Sequence, residues 1–298
     1  MRAELKTARL FLFAGFLASC APARAANCPA NPGRQCDDGQ RQSIPLRIYR
    51  NFLVVAEGQF GPDSPTQNFL LDTGTAPSII NARLVTQLEL TTMPSKITAL
   101  GKAVPGLAAA IPEIDLGPIR ADSLVAQVRD LSRLESDLGI SIAAIIGLDV
   151  LSKSSFHLDY DKREIEFGDV PREGIPVHFD ARAGIAVAIA TIEGKETRFL
   201  VDTGSDVVVL LVGNFADVGW LELQDTSQSG ASLVDQKMKV QVFSATEIIL
   251  GGQRFGVHRA YFLPGSADPV FDGLLGVRAL GFRSLSFDQA SATIYLQK

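Results

Sequence analysis

The 298-residue chain is poor in the side chains that most metal, nucleotide and nucleic-acid chemistry needs. Its three histidines, His157, His178 and His258, are scattered, with no paired spacing that would suit zinc. No Gly-x-Ser-x-Gly elbow presents a serine nucleophile, and no Gly-x-Gly-x-x-Gly stretch opens a helix to hold a nucleotide. Basic residues do not cluster, and a formal charge of −5 with a pI near 5.3 argues against a nucleic-acid partner. Beyond the N-terminus no apolar run approaches the roughly eighteen residues of a membrane-spanning helix. Cysteine occurs only as Cys20, Cys28 and Cys36. Nearly half of the residues are apolar, so a chain of this length can bury two cores of ordinary domain size.

The cysteines fall in a leader and the stretch after it. Residues 1–25 have a basic start (Arg2, Lys6, Arg9) and a short apolar core from Leu10 to Ala18, the pattern of a secretory or lipoprotein signal. Two exits are legible. Leu17-Ala-Ser-Cys20 resembles a bacterial lipobox, which would make Cys20 a lipidated first residue and anchor the chain to a membrane. Ala23-Arg-Ala25 suits ordinary cleavage before Ala26. Either places the rest in the bacterial periplasm or envelope, where Cys28 and Cys36 are expected to close a local disulfide. Residues 26–43, rich in Asn, Pro, Gly, Gln and Asp, read as a tether.

What is abundant is repetition. Phe69-Leu-Leu-Asp72-Thr73-Gly74-Thr75 returns as Phe199-Leu-Val-Asp202-Thr203-Gly204-Ser205. In each copy a buried apolar strand stops at a carboxylate, which is costly unless something uses it. Other landmarks repeat in the same order. Leu88-Glu-Leu90 is echoed by Leu221-Glu-Leu223, Ile145-Ile-Gly147 by Leu274-Leu-Gly276, and Phe156-His-Leu-Asp159 by Leu285-Ser-Phe-Asp288. The offset is 130 residues at the aspartates and 129 at the end, with small insertions between. Two lobes of common ancestry follow, at residues 44–170 and 184–298, joined by a linker at 171–183 where Pro, Gly and charge gather.

Within each lobe the pattern is strand-rich. Leu46 to Val55 reads as a strand, and Gly58 to Asn68 as a turn-rich hairpin. Asn81 is placed to cap a short helix to Leu88, and charges alternate with apolar residues over a second helix from Arg129 to Leu138. The buried strands ending at Gly147 and Gly276 suit close approach of another backbone. Trp220 reads as core or pocket wall. After those two glycines the lobes differ: Asp149 in the first is replaced by Arg278 in the second, which reads as a surface change or a difference in specificity.

A strand ending in Asp-Thr-Gly-Ser/Thr, then an apolar-apolar-Gly 75 residues later in one copy and 74 in the other, resembles the aspartic proteases of the pepsin and retropepsin clan. The resemblance covers the chain from about residue 46 to its end. It implies a mainly β acid-protease fold of two homologous retropepsin-like β-barrel lobes with the active-site cleft between them. It further implies an aspartic endopeptidase acting on a peptide or protein, with no cofactor and no metal. Dimerisation is not required, because both halves are present.

By the same resemblance Asp72 and Asp202 form the catalytic dyad. Two close carboxylates resist joint ionisation, so one keeps a proton while the other activates a water, a property known for this family. Gly74 and Gly204 let backbone N–H groups approach, and Thr73 and Thr203 cross-bond beneath the pair. Thr75 and Ser205 offer hydroxyls to the outer carboxylate oxygens. Residues 91–112 and 227–235 occupy the flap positions, the second with Gly230 as its turn residue. No Tyr or Trp lies between Tyr49 and Tyr160, so the first flap is closer to the retropepsin kind. Two other classes compete. A non-catalytic peptide-binding protein of the same fold is disfavoured by retention of both aspartates. A sugar-kinase or actin-like phosphate loop is disfavoured by the glycine-ended strands and the missing adenosine motif.

Overall fold

A computed structural model describes residues 10–12, 16–17, 41–99, 102–182, 184–215, 222–232, 238–244, 247–257, 260–263 and 266–298. The fold is mainly β and built twice. In the first lobe Gln67–Leu71 runs parallel to Ala144–Ile146, which pairs antiparallel with Ile79–Asn81, itself parallel to Ile119–Arg129. In the second, Lys195–Asp202 runs parallel to Gly273–Gly276, antiparallel in turn to Val208–Leu211, itself parallel to Ala260–Leu263. The order and sense of pairing are the same, as the sequence repeat requires.

The unbroken apolar runs before each aspartate follow from burial on both faces of the strand. Phe69 and Leu71 enter the large core that also receives Phe199 and Val201. Leu70 turns to a separate first-lobe cluster with Ile79, Ile97 and Ile145, and Leu200 to its second-lobe counterpart with Val209 and Leu274. An alternating strand would have left one face wet.

The lobes are joined by a shared sheet rather than by a loop. Gln42–Pro45, Glu164–Phe167 and Phe156–Asp159 come from the first half, and Ser284–Asp288, Thr293–Gln297 and Ile175–Arg182 from the second. Phe156–Asp159 and Ser284–Asp288 pair antiparallel at the middle, with the equivalent residues His157 and Ser286 directly opposite. Their side chains meet at 2.9 Å. Most of segment 171–183 is therefore strand: Ile175–Arg182 pairs first with Thr293–Gln297 and then with Ile185–Ile192. Its Pro and Gly mark the ends of a strand, not a free connector.

Local expectations divide in the same way. Asn81 does cap the helix Ala82–Gln87, its side chain accepting from the Arg83 N–H, and Ser132–Leu138 is helical up to Gly139 at φ 70°. The run from Leu46 to Val55 is two strands, Arg47–Tyr49 and Leu53–Gly58, because Arg50 and Asn51 adopt φ 54° and 67° and turn the chain. Thr92–Ala99 pairs antiparallel with Lys102–Ala109, so the described part of residues 91–112 forms a hairpin, its second strand running on to Leu116. Gly230 is not a turn residue: it lies inside Glu222–Ser232, opposite Met238. Cys20, Cys28, Cys36, Trp220 and His258 lie outside the described residues.

Candidate active site

The two aspartates converge where the lobes meet. Asp72 follows its strand directly, its N–H donating to the Ile146 carbonyl at 2.9 Å, and Asp202 is the last residue of the equivalent strand, paired with Gly276. Both are fully buried. Thr73 and Thr203 cross between the lobes: each backbone N–H donates to the other's Oγ1 at 3.1 Å. Thr73 Oγ1 also donates to the Val201 carbonyl at 2.8 Å. A side chain without a hydroxyl at either position would leave a buried N–H unpaired, so these residue types are required by the junction itself.

The glycines after the threonines are fixed by the opposite carboxylate. A Cβ on Gly74 would lie 2.7 Å from Asp202 Cγ, and one on Gly204 would lie 2.8 Å from Asp72 Cγ. Each glycine therefore lets the carboxyl group of the other lobe come in beside it. Each also donates its N–H to its own lobe's aspartate, Gly74 to Asp72 Oδ1 at 2.8 Å and Gly204 to Asp202 Oδ1 at 2.7 Å. The glycine-ended strands are fixed by the same kind of crowding: a Cβ on Gly147 would lie 2.1 Å from the Thr75 carbonyl oxygen, and one on Gly276 would lie 2.5 Å from that of Ser205.

The two carboxyl groups are not equivalent. Thr75 Oγ1 donates to Asp72 Oδ2 at 2.8 Å, completing a set of donors around Asp72. The expected partner of this contact in the second lobe does not form. Ser205 Oγ is shared with the backbone of Val207 at 3.4–3.5 Å, and Asp202 Oδ2 receives no donor among the described residues. The serine hydroxyl settles on the nearest backbone instead.

That difference bears on which group holds the charge. Burial raises the pKa of both. For Asp72 the Thr75 hydroxyl, a hydrogen bond from Asp202 and the N–H groups of Gly74 and Gly204 oppose the rise. For Asp202 the Asp72 charge and the hydrogen bond to Asp72 add to burial, and its pKa is pushed well above the ordinary carboxylate value. Both shifts are upward, and the surroundings favour charge on Asp72 and the proton on Asp202.

Three groups near the dyad were not expected from the sequence. The Ser78 N–H and hydroxyl donate to Asp149 at 2.9 and 2.6 Å, and Gly147 N–H donates to Ser78 Oγ at 3.0 Å, tying the strand end to the chain beyond Asp72. Tyr160 is buried close enough to feel both aspartates. Arg278 is half-buried rather than a free surface residue, and it reaches into the first lobe. The sequence did mark the break in symmetry at Asp149 and Arg278; what it withheld was the partner of each. Among the described residues no group of three or more His, Cys, Asp or Glu side chains is arranged to hold a metal ion.

Comparison with known families gives a match over both lobes. The family model described as aspartyl protease matches residues 56–150 and again residues 188–279. No curated protein matches the chain.

Proposed function

The chain belongs to the aspartyl protease family, and from that premise we propose that it is an endopeptidase in which Asp72 and Asp202 activate one water between them. Membership of the family supports protease activity on a peptide or protein substrate. The observation that carries the residue assignment is the unequal hydrogen bonding of two carboxyl groups that face each other in a buried junction. Ionised Asp72 takes a proton from water, and the oxygen attacks the peptide carbonyl carbon. Asp202 donates its hydrogen bond, and then its proton, to the carbonyl oxygen. Collapse of the tetrahedral intermediate breaks the C–N bond as the amine takes the proton held on Asp72, while Asp202 recovers its own from the gem-diol. The hairpins beside the junction support a strand-like substrate. Thr92–Ala99 pairs with Lys102–Ala109 on one side, and its other side suits an extended backbone laid along it.

Hydrolysis of a mixed peptide library from acidic to neutral pH tests the reading. Cleavage blocked by a pepstatin-type transition-state analogue is expected. A folded protein that leaves every peptide intact would instead be a peptide-binding member of the family.

The unequal pair gives a second expectation. Thr75→Ala removes a donor to the ionised form of Asp72, so its pKa rises and the acid limb of the pH–rate profile moves to higher pH. Ser205→Ala touches neither carboxylate and should leave that limb in place. Equal shifts in the two variants, read from kcat/KM against pH, would remove the assignment of base to Asp72 and acid to Asp202.

A further inference from the structure

The second lobe lacks the latch that holds the first. At the repeat offset of 130 residues Ser78 is replaced by Val208, and at 129 Asp149 is replaced by Arg278. Val208 is buried and apolar and cannot repeat the side-chain contacts of Ser78; there the backbone makes the tie, Gly276 N–H donating to the Val207 carbonyl at 2.9 Å. Gly276 lies directly against the chain after Asp202, a Cβ there falling 2.5 Å from the Ser205 carbonyl oxygen. Any movement of the Gly276 strand end is passed to the loop that carries Asp202.

Arg278 stands two residues beyond Gly276, and its contacts lead across the junction. Nε donates to the Asn51 carbonyl oxygen of the first lobe at 3.1 Å, and a terminal nitrogen donates to the Phe282 carbonyl of its own lobe. The guanidinium carbon lies 4.8 Å from the centroid of the Tyr160 ring. Asn51 sits in the turn before Leu53–Gly58, the strand paired with the one that ends at Asp72. Tyr160 follows Phe156–Asp159 of the shared sheet, and its N–H donates to the Arg283 carbonyl at 2.9 Å. Its hydroxyl is buried with no hydrogen-bond partner among the described residues, in the field of Asp202 and Asp72. One planar, permanently charged side chain thus joins the Asn51 and Phe282 carbonyls and the Tyr160 ring across the junction.

We propose that Arg278 is a positioning residue that braces the Asp202 loop against the first lobe, so that the spacing of the two carboxyl groups depends on it. The first lobe has a side-chain latch within itself; the second has a backbone tie and a side chain that reaches the first. The consequence is electrostatic. The separation of the dyad's two titration steps grows as the carboxyl groups approach, because each charge opposes the other. The groups that face the pair are Thr75, the N–H groups of Gly74 and Gly204, Tyr160 and, beyond its ring, Arg278; Asp149 is engaged by Ser78. Loosening the brace should draw the two steps together. Merely weakening the fold would not.

The test is carbon-detected NMR titration of the Asp72 and Asp202 carboxyl groups in the full chain, with kcat measured alongside. Arg278→Met, which keeps length and loses the charged fork, should narrow the gap between the two steps by about one pH unit and lower kcat by about tenfold or more. Arg278→Lys keeps the charge without the fork and should fall between. A folded Arg278→Met with an unchanged gap and unchanged kcat would overturn the proposal. If that variant does not fold, Arg278→Lys carries the test, because it keeps the charge and loses the fork that spans the Asn51 and Phe282 carbonyls. The smaller narrowing is expected there, and an unchanged gap again overturns the proposal. The kinetic arm rests on the protease reading; the NMR arm does not. Absence of hydrolysis in the native chain would sink that reading and leave the brace to be judged on the titration alone.

Discussion

Asp202→Asn should abolish peptide hydrolysis and at the same time raise the melting temperature at neutral pH. The first effect is loss of the acid that protonates the substrate carbonyl, a fall of roughly three orders of magnitude or more in kcat/KM. The second follows from linkage. Asp202 is fully buried, and its folded pKa stands well above the 3.8 of an exposed aspartate, first because of burial and then because of the Asp72 charge. A group whose pKa is raised by folding adds stability that is complete below the unfolded value. That stability is lost as pH rises through the folded one. The native protein should therefore lose stability from just above pH 4 upward, as folding comes to demand a buried second charge or a retained proton. Asparagine has the same shape and never ionises, so the variant should lack that part of the pH dependence. Melting curves and kcat/KM measured for both proteins across pH 3–8 would check the two effects together. A variant with more than a tenth of native activity would remove Asp202 from the reaction. An unchanged slope of melting temperature against pH would show that its proton is not held by the fold.

Much of this site is legible in the sequence because its geometry is local or repeated. Asp-Thr-Gly needs only three residues to place a carboxylate, a crossing hydroxyl and an unobstructed N–H, and the second copy at an offset of 130 residues reveals the partner. The helix at Ala82–Gln87 is equally local, resting on the cap at Asn81. The shared sheet is not. Ile175–Arg182 gains its place from Thr293–Gln297, more than a hundred residues away, and nothing in its own Pro- and Gly-flanked composition announces the pairing. Likewise Ser205 repeats the hydroxyl of Thr75 but not its direction, since a rotamer is set by the neighbours it meets after folding. Arg278 could be flagged as a departure from Asp149; its destination at Asn51 depends on how two lobes close, which no repeat encodes.

The departures from symmetry fall at positions that bear on charge. A perfect twofold would give two aspartates the same surroundings and leave the proton without a preferred side. Thr75 against Ser205 removes that degeneracy while the backbone cross of Thr73 and Thr203 stays symmetric. What must be equal is the closure of the lobes. What must be unequal is the hydrogen bonding of the acids.

Gly147→Ala should damage the enzyme from a position that never meets substrate. The backbone there has φ −95° and ψ −173°, which any residue can adopt, so conformational strain is not the reason for glycine. The reason is space: the added carbon would stand 2.1 Å from the Thr75 carbonyl oxygen. A side chain at that distance could rotate away, but a backbone carbonyl cannot do so alone. Relief requires the Asp72–Thr75 loop to shift as a body, carrying with it the Thr75–Asp72 hydrogen bond and the Thr73–Thr203 crossing. Overpacking of this kind costs about 1–3 kcal/mol of stability. A displacement near 1 Å at the reacting groups can cost on the order of a hundredfold in rate. The control is Gly256→Ala, where an added carbon has nothing within 4 Å, and it should melt and turn over as the native protein does. Urea unfolding and kcat/KM on the same peptide would separate the cases. A Gly147→Ala variant with native turnover would mean that the Asp72 loop can move without moving the chemistry, and the site would then be far less preorganised than its hydrogen bonds imply.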